Sequence, residues 1–491
     1  MFSENLLSFI LINEFRWTVC FIIIAYVVYK ITKLYVRVIN LPPGPLPIPI
    51  LGSILSLRGI KHHWIYEFKN YNKKYGNIFT FWGGNIPMVV ITDPMLARVL
   101  FRKNEISGRP SNFMTDMINK NGRTDIVGTD YGHTWETMRR VTHAAIIKYS
   151  KTDQLMYLCS DCVDKTVKLI IENEGLDKPF DPSDYIFQLF INILATSAFG
   201  NSYLMDEKEY KNYKYCIKDF RRENNLMIVL IQIIPSHYRD YNDSISCRNF
   251  CDLLIAEKVK TIRDYKESAQ YLTDNNLSMV LFDILFAGTD SSQLTFQWML
   301  LFLVYYPHID QKLRQEIETV IGDRLATHED RHHCHYAMAF ISESLRLRNV
   351  APIGLPHKTL ERTTVGKYTV PKDTVIAYLQ GIVMMDDKYW SNADKFKPER
   401  FLIDGKFNNT RPIGYVPFGV GRRVCLGEKL VIADLFFVLI RFLQMTSDYD
   451  IVLDSNAGID PNPNIVDTIE PNNYKILISM ESFEAKGWKH S

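Results

Sequence analysis

The sequence predicts a mainly α-helical protein with a small β-sheet region, built as one large domain behind an N-terminal membrane anchor. Three observations predict it. Apolar residues recur at helical spacing from about residue 130 to 350. Only two short stretches, residues 78–92 and 359–382, read as β. An uncharged apolar run, WTVCFIIIAYVVY (17–29), stands ahead of a proline-rich segment. The 491 residues are 47% apolar and 13% aromatic, enough to bury a large core. With 57 basic and 55 acidic residues the net charge is +2, which leaves no nucleic-acid footprint. Eight cysteines in this length are too sparse for a disulfide-stapled secreted domain and fit a reducing compartment.

Each element follows in order. At about 1.5 Å per residue, 17–29 alone falls short of a hydrocarbon core roughly 30 Å thick. A span must therefore borrow from residues 6–12 or 31–36, with Lys30 and Lys33 snorkelling. No small-residue cleavage site follows, so residues 1–38 read as a retained signal-anchor helix. Lys30, Lys33 and Arg37 come after the run and put the downstream body in the cytosol. LPPGPLPIP (41–49) holds five prolines in nine residues, which excludes helix and central strand. Residues 39–52 are expected to form a semi-rigid spacer that holds the body off the membrane. The body, 53–491, opens with two strands around Gly83 and Gly84. Helices are expected at 134–149, 155–173, 183–199, 277–306 and 336–348, with a further apolar helical run from Leu430. Cys159 and Cys162 form a lone C-x-x-C, and His332, His333, Cys334 and His335 a local cluster. Neither has a second pair at zinc spacing, so they read as free thiols or a solvated loop.

PFGVGRRVCLG (417–427) carries the chemical question. After Gly419 and Gly421 the next position of a dinucleotide loop is Val424, so that reading fails. No second cysteine stands near enough for zinc. Cys425 has Arg422 and Arg423 beside it and precedes an apolar helix. Cations and a helix N-terminus both favour the thiolate of a group that ordinarily titrates at about 8.5. Gly421 and Gly427 let backbone approach a large flat partner closely. One protein thiolate on one metal leaves most metal positions to a cofactor, which points to haem. From these residues alone, a reactive or a merely structural cysteine stays open.

The wider pattern narrows this. Phe418, Gly421, Arg423, Cys425 and Gly427 match F-x-x-G-x-R-x-C-x-G at every fixed position. The stretch resembles the haem loop of the cytochrome P-450 superfamily. Other motifs fall in that family's order: the proline segment resembles its hinge, and Trp135 and Arg139 its W-x-x-x-R. A-G-T-D-S-S (287–292) resembles its oxygen-binding helix, and Glu343 and Arg346 its E-x-x-R. F-K-P-E-R-F (396–401) supplies Arg400, and PHKTLERTTVGKYTVPKDT is similar in style to the animal microsomal branch. The resemblance runs from the anchor to at least residue 440.

What the resemblance implies is concrete. Cys425 is the axial iron ligand of haem b. Trp135, Arg139, His357 and Arg423 reach its propionates, and Ala287, Gly288, Phe418 and Gly427 line it. Asp290 and Ser291 relay protons, while Glu343, Arg346 and Arg400 form a buried charge network with an architectural role. Two departures stand out: Ser291 replaces the usual Thr, and Val431 and Ile432 replace the usual Ala and Arg. The implied activity is insertion of one atom of dioxygen into a small hydrophobic substrate: a steroid, a fatty acid or a xenobiotic. No nucleotide loop is present, so electrons come from NADPH through a separate diflavin reductase, with cytochrome b5 as a second donor. Arg140, Arg422 and Lys429 supply the docking charge. The implied location is the endoplasmic reticulum membrane, facing the cytosol. Two other readings remain, a reductase-independent haem-thiolate isomerase or dehydratase and a non-catalytic haem sensor; neither requires the Asp290/Ser291 pair. Residues near 108–130, 200–240, 350–355 and 465–472 are expected to line the pocket, among them Phe113, Met114, Met117, Val350, Ile353 and Leu355.

Overall fold

Periodic apolar faces, more than intrinsic propensity, decide where this chain turns helical. The computed structural model describes residues 2–57, 64–110, 124–218, 234, 237, 238, 248–454, 471 and 474–480. Its α-helices are α1 (Phe2–Asn40), α2 (Trp64–Tyr75), α3 (Pro94–Leu100), α4 (His133–Tyr149), α5 (Asp153–Glu174), α6 (Ser183–Phe199) and α7 (Lys208–Lys218). They continue with α8 (Phe250–Arg263), α9 (Asp274–Tyr305), α10 (Pro307–Val320), α11 (His335–Leu347), α12 (Gln380–Met384) and α13 (Glu428–Met445). Asp93, Thr152, Asn249 and Thr273 cap α3, α5, α8 and α9 by accepting the amide of the third residue beyond each.

The five helices expected from periodicity are α4, α5, α6, α9 and α11, each within three residues of its expected ends. The body is mainly helical with small sheets, as expected. Strands β1 (Ile78–Gly83) and β2 (Ile86–Ile91) pair antiparallel around Gly84, whose φ of 60° suits glycine. β3 (His357–Lys358), β4 (Thr363–Val365), β5 (Tyr368–Val370) and β6 (Val375–Tyr378) follow. The main sheet runs β1-β2-β6-β3, with β2 and β6 parallel and β3 on the outer edge. One correction concerns residues 359–382: strand ends at Tyr378, and Gln380–Met384 turns helical as α12. Smaller pairs are β4–β5, β7 (Leu402–Ile403) with β8 (Lys406–Phe407), and β9 (Tyr449–Leu453) with β10 (Ile476–Met480).

The core sits between α5, α6, α9 and α13. Ala433 to Ile440 of α13 are all buried, as befits a helix apolar on every side. Cys159 and Cys162 are buried thiols inside this core, and no metal-binding cluster occurs among the described residues.

The N-terminus departs from the spacer picture. Phe15–Asn40 is long and apolar enough to cross a membrane, with a mean hydropathy of 1.8. Phe15, Trp17 and Phe21 on it are 71%, 75% and 73% exposed, so no protein core claims them. Its last turns belong to the body: Leu34 is buried, and the Arg37 guanidinium lies 5.4 Å from the Trp82 ring. The proline segment does not stand off either. Thr80 N–H donates to Pro43 O at 2.9 Å, and Ser53 N–H to Trp82 O at 2.8 Å. A side chain on Gly44 would sit 1.9 Å from Thr80 O, so the segment lies flat on β1. Leu41 and Pro42 are buried there, and their burial outweighs any tendency of the prolines to project into solvent.

Candidate active site

The cysteine loop is pinned to α3 before it enters α13. Gly421 has φ 83°, and a Cβ there would sit 2.3 Å from Phe101 O, so only glycine fits. Arg422 N–H donates to Phe101 O, and Arg422 Nε to Arg102 O, both at 2.8 Å. Cys425 N–H closes the loop on Phe418 O at 2.9 Å. The sulfur lies deep in the protein yet has open surface, as the lining of an internal recess does. Burial pushes its pKa above the ordinary thiol value, while the amides of Gly427 and Glu428 at the α13 N-terminus and the charge of Arg139 pull it down. Sequence reasoning assigned that charge to Arg422 and Arg423. The Arg422 side chain instead donates to Arg102 O just past α3 and Arg423 to three other carbonyls, so Arg139, whose Nη2 donates to Val424 O, serves the sulfur.

Beside the loop stand three guanidinium groups. Arg423 donates to Ser107 O at 2.7 Å, Ile126 O at 3.2 Å and Thr129 O at 2.5 Å. Its Cζ lies 4.3 Å from the Trp135 ring, which also has the Arg139 guanidinium at 5.4 Å. Trp135 Nε1 donates to Ile126 O at 2.9 Å. Arg109, which sequence reasoning missed, is buried and donates to Val127 O, Leu355 O and Pro356 O at 2.9 Å each. An arginine between Gly108 and Pro110, in a stretch without periodicity, offered little signal. Burial, then repulsion from Arg109 and Arg139, lowers Arg423 to about 8; burial lowers Arg109 to about 10. Asp125 and Asp130 offset this only in part. His357 is buried, with Nδ1 2.8 Å from Ile106 O, and burial with the Arg109 charge holds its pKa well below the usual imidazole range. The neutral ring donates through Nδ1, leaving Nε2 an acceptor.

Helix α9 is buried from Asn276 to Val304 except at Ile284, Phe286, Ala287, Gly288, Asp290 and Ser291. An exposed alanine in the middle of a core helix lines a recess, not a solvent face. Ser291 Oγ donates to Ala287 O at 2.8 Å, and Gln293 Nε2 to Asp290 Oδ1 at 3.4 Å. Gly288 needs a different account from the one its size suggested: a Cβ there would meet Leu194 of α6 at 3.0 Å. Its missing side chain serves the α9–α6 contact, and the small Ala287 leaves the recess open.

Glu343, wholly buried, accepts Arg346 Nε at 2.7 Å, Arg400 Nε at 3.1 Å and Lys397 N at 2.9 Å. Arg346 donates Nη2 to Glu343 Oε1 at 2.8 Å and Lys395 O at 3.2 Å, and Nη1 to Met384 O at 2.7 Å and Ala393 O at 2.9 Å. Every charge is satisfied within the network, so it ties α11 to the approach of the cysteine loop. Val350 and Ile353 are half-buried and Leu355 is exposed. Phe113, Met114 and Met117, with most of 219–247 and residues 465–470, lie outside the described residues.

Comparison with known proteins decides the family. The cytochrome P450 model matches residues 42–243 and 224–447. The chain belongs to the cytochrome P450 family. It is 28% identical, over 97% of its length and 98% of the other, to a steroid 17-alpha-hydroxylase/17,20 lyase of Ictalurus punctatus. An isoflavone 3'-hydroxylase of Medicago truncatula is also 28% identical, over 84% of this chain and 86% of that one. Cytochrome P450 2J3 of Rattus norvegicus is 27% identical, over 82% and 85%. A zebra fish cytochrome P450 structure with progesterone superposes with a TM-score of 0.72 at 24% identity, covering 84% of this chain and 99% of that one. This P450 is therefore a haem-thiolate monooxygenase. Its residues fit the group: a recessed thiol at a helix N-terminus, and one buried and two half-buried guanidiniums whose mutual repulsion an anion would relieve.

Proposed function

We propose that this P450 holds haem b through Cys425 and inserts one oxygen atom into a small apolar substrate. NADPH supplies electrons through a separate diflavin reductase, with cytochrome b5 as a second donor. When bound, thiolate-ligated haem supplies oxygen activation, its sulfur donating electron density that favours O–O cleavage. The observation that carries the reading is the recessed Cys425 sulfur beside the Arg109–Arg139–Arg423 cluster. Arg139, Arg423 and Arg109 would neutralise the carboxylates of the macrocycle, with Trp135 stacked among them. His357 reaches a carboxylate as a donor only when its ring is protonated, because Nδ1 is committed to Ile106 O.

Ser291 keeps its proton on Ala287 O and presents its lone pairs to the recess. To deliver a proton it turns that O–H away from Ala287 and takes another from Asp290 or from water. Ala287 leaves room beside it for dioxygen and substrate. Exposed Arg140, Arg422 and Lys429 form the docking charge for the reductase. The α1 span would sit in the endoplasmic reticulum membrane, with Lys30, Lys33 and Arg37 holding the body on the cytosolic side. A steroid is the first candidate substrate, because several relatives are steroid 17-alpha-hydroxylases; fatty acids and xenobiotics remain alternatives. The test is turnover of candidate substrates with and without reductase and NADPH. Product should form only when both are present. Product without reductase supports the isomerase reading instead, and haem binding without turnover of any candidate supports the sensor.

A further inference from the structure

Residues 124–129 pass between α9 and the arginine cluster without helix or strand. Asp125 and Ile126 in this segment are buried, so its backbone groups need side-chain partners. The amides go to α9: Thr124 N–H donates to Asn276 Oδ1 at 3.0 Å, and Ile126 N–H to Asp283 Oδ2 at 2.7 Å. The carbonyls go the other way. Ile126 O accepts Trp135 and Arg423, Val127 O accepts Arg109, and Thr129 O accepts Arg423. Asp125 braces the turn, accepting Gly128 N at 2.9 Å and Thr129 Oγ1 at 2.7 Å. Asn276 and Asp283 are both buried and stand two turns apart on one face of α9. That face adjoins the Ala287–Ser291 opening.

We propose that Asn276 and Asp283 are positioning residues, which fix the carbonyls of residues 126–129 and thereby hold the Arg109, Trp135 and Arg423 side chains in register with α9. The inference rests on the reading of that cluster as the haem carboxylate site. Asp283 touches neither Cys425 nor the arginines through its own side-chain hydrogen bonds; it acts through the Ile126 peptide. Burial, and then Asp125, holds the Asp283 carboxyl well above the usual carboxylate range. Its Oδ2 meets the Ile126 amide as an acceptor, a role that the Oδ1 of asparagine can copy.

The test uses the full-length holoprotein and two readouts: hydrogen exchange of the peptide spanning 124–129, and the rate of haem transfer to apomyoglobin. Asp283→Ala should raise both about tenfold or more, because a buried amide loses its acceptor. Asp283→Asn should bring both back to within about threefold of the parent, which a general loss of stability would not allow. Exchange around Glu343 and Arg346 should stay unchanged. Arg423→Gln separates the two claims. If it speeds haem loss while Asp283→Ala leaves exchange or haem loss as in the parent, the positioning role is refuted. If Arg423→Gln does not speed haem loss, the carboxylate-site reading falls, and with it the haem arm of the proposal. Should Asp283→Ala fail to accumulate folded, Asn276→Ala removes the Thr124 acceptor together with the Nδ2 donor to Tyr271 O, and is read by the same outcomes.

Discussion

Replacing Ser291 by alanine should separate electron entry from oxygen insertion. The change removes one hydroxyl whose hydrogen bond, to Ala287 O at 2.8 Å, lies on the open side of α9. Its cost to folding is about 1 kcal/mol or less, since the site is not sealed and no partner is left buried and unpaired. Thr295 Oγ1 still donates to the residue 291 carbonyl at 2.7 Å, so the helix keeps its local geometry. The cysteine loop and the exposed basic face are untouched, so NADPH oxidation should persist. Its product should change. A positioned proton donor is typically worth roughly 10²–10⁴-fold, and water reaching the recess beside Ala287 recovers part of that. About tenfold less product per NADPH is expected, with hydrogen peroxide rising to match. Ser291→Thr should equal or exceed the parent, because the added methyl restricts χ1. Turnover driven by added peroxide, which needs no delivered proton pair, should fall less. The assay is NADPH, product and peroxide measured together in a reconstituted system. Unchanged coupling in Ser291→Ala would refute the relay.

Other outcomes follow from the same structure. Glu343→Gln leaves two arginines facing a neutral amide in a wholly buried site, and should cost roughly 3–5 kcal/mol, read by urea unfolding of the apoprotein. Removing residues 1–33 should release much of the protein from membranes with its haem content nearly unchanged, whereas a cut after residue 38 should also lower stability, because Leu34 and Arg37 pack on the body. The unfolded chain protonates His357 near pH 6.5, whereas the folded ring resists until well below that. The unfolded state then binds more protons, so apoprotein stability should fall as pH drops below about 6.5, by up to about 1.4 kcal/mol per unit, and His357→Gln should remove that slope.

What the sequence made legible were features with local grammar. The α4, α5, α6, α9 and α11 periodicities and the Gly84 hairpin could be read from adjacent residues. α2, α8 and α10 were not read; α2 and α10 carry polar residues on most faces. The proline segment misled because its composition fits a spacer, while its contacts are with β1, some thirty-five residues on. Arg109, Asn276 and Asp283 were invisible for a related reason. Their partners are backbone groups of an irregular segment, which no residue pattern marks. Gly288 was read as lining the haem, and nothing in the sequence marked its contact with Leu194 of α6. Residue types announced the chemistry of Cys425; which cation faces its sulfur depended on where Arg422 and Arg423 spend their donors.

The central claim is that Cys425 supplies the thiolate to the haem. The carbon monoxide difference spectrum of the reduced protein tests it most directly. The parent should show the red-shifted Soret band that thiolate ligation gives, and Cys425→Ser, loaded with haem, should lose it. An undiminished red-shifted band in Cys425→Ser would contradict the account and remove Cys425 as the ligand.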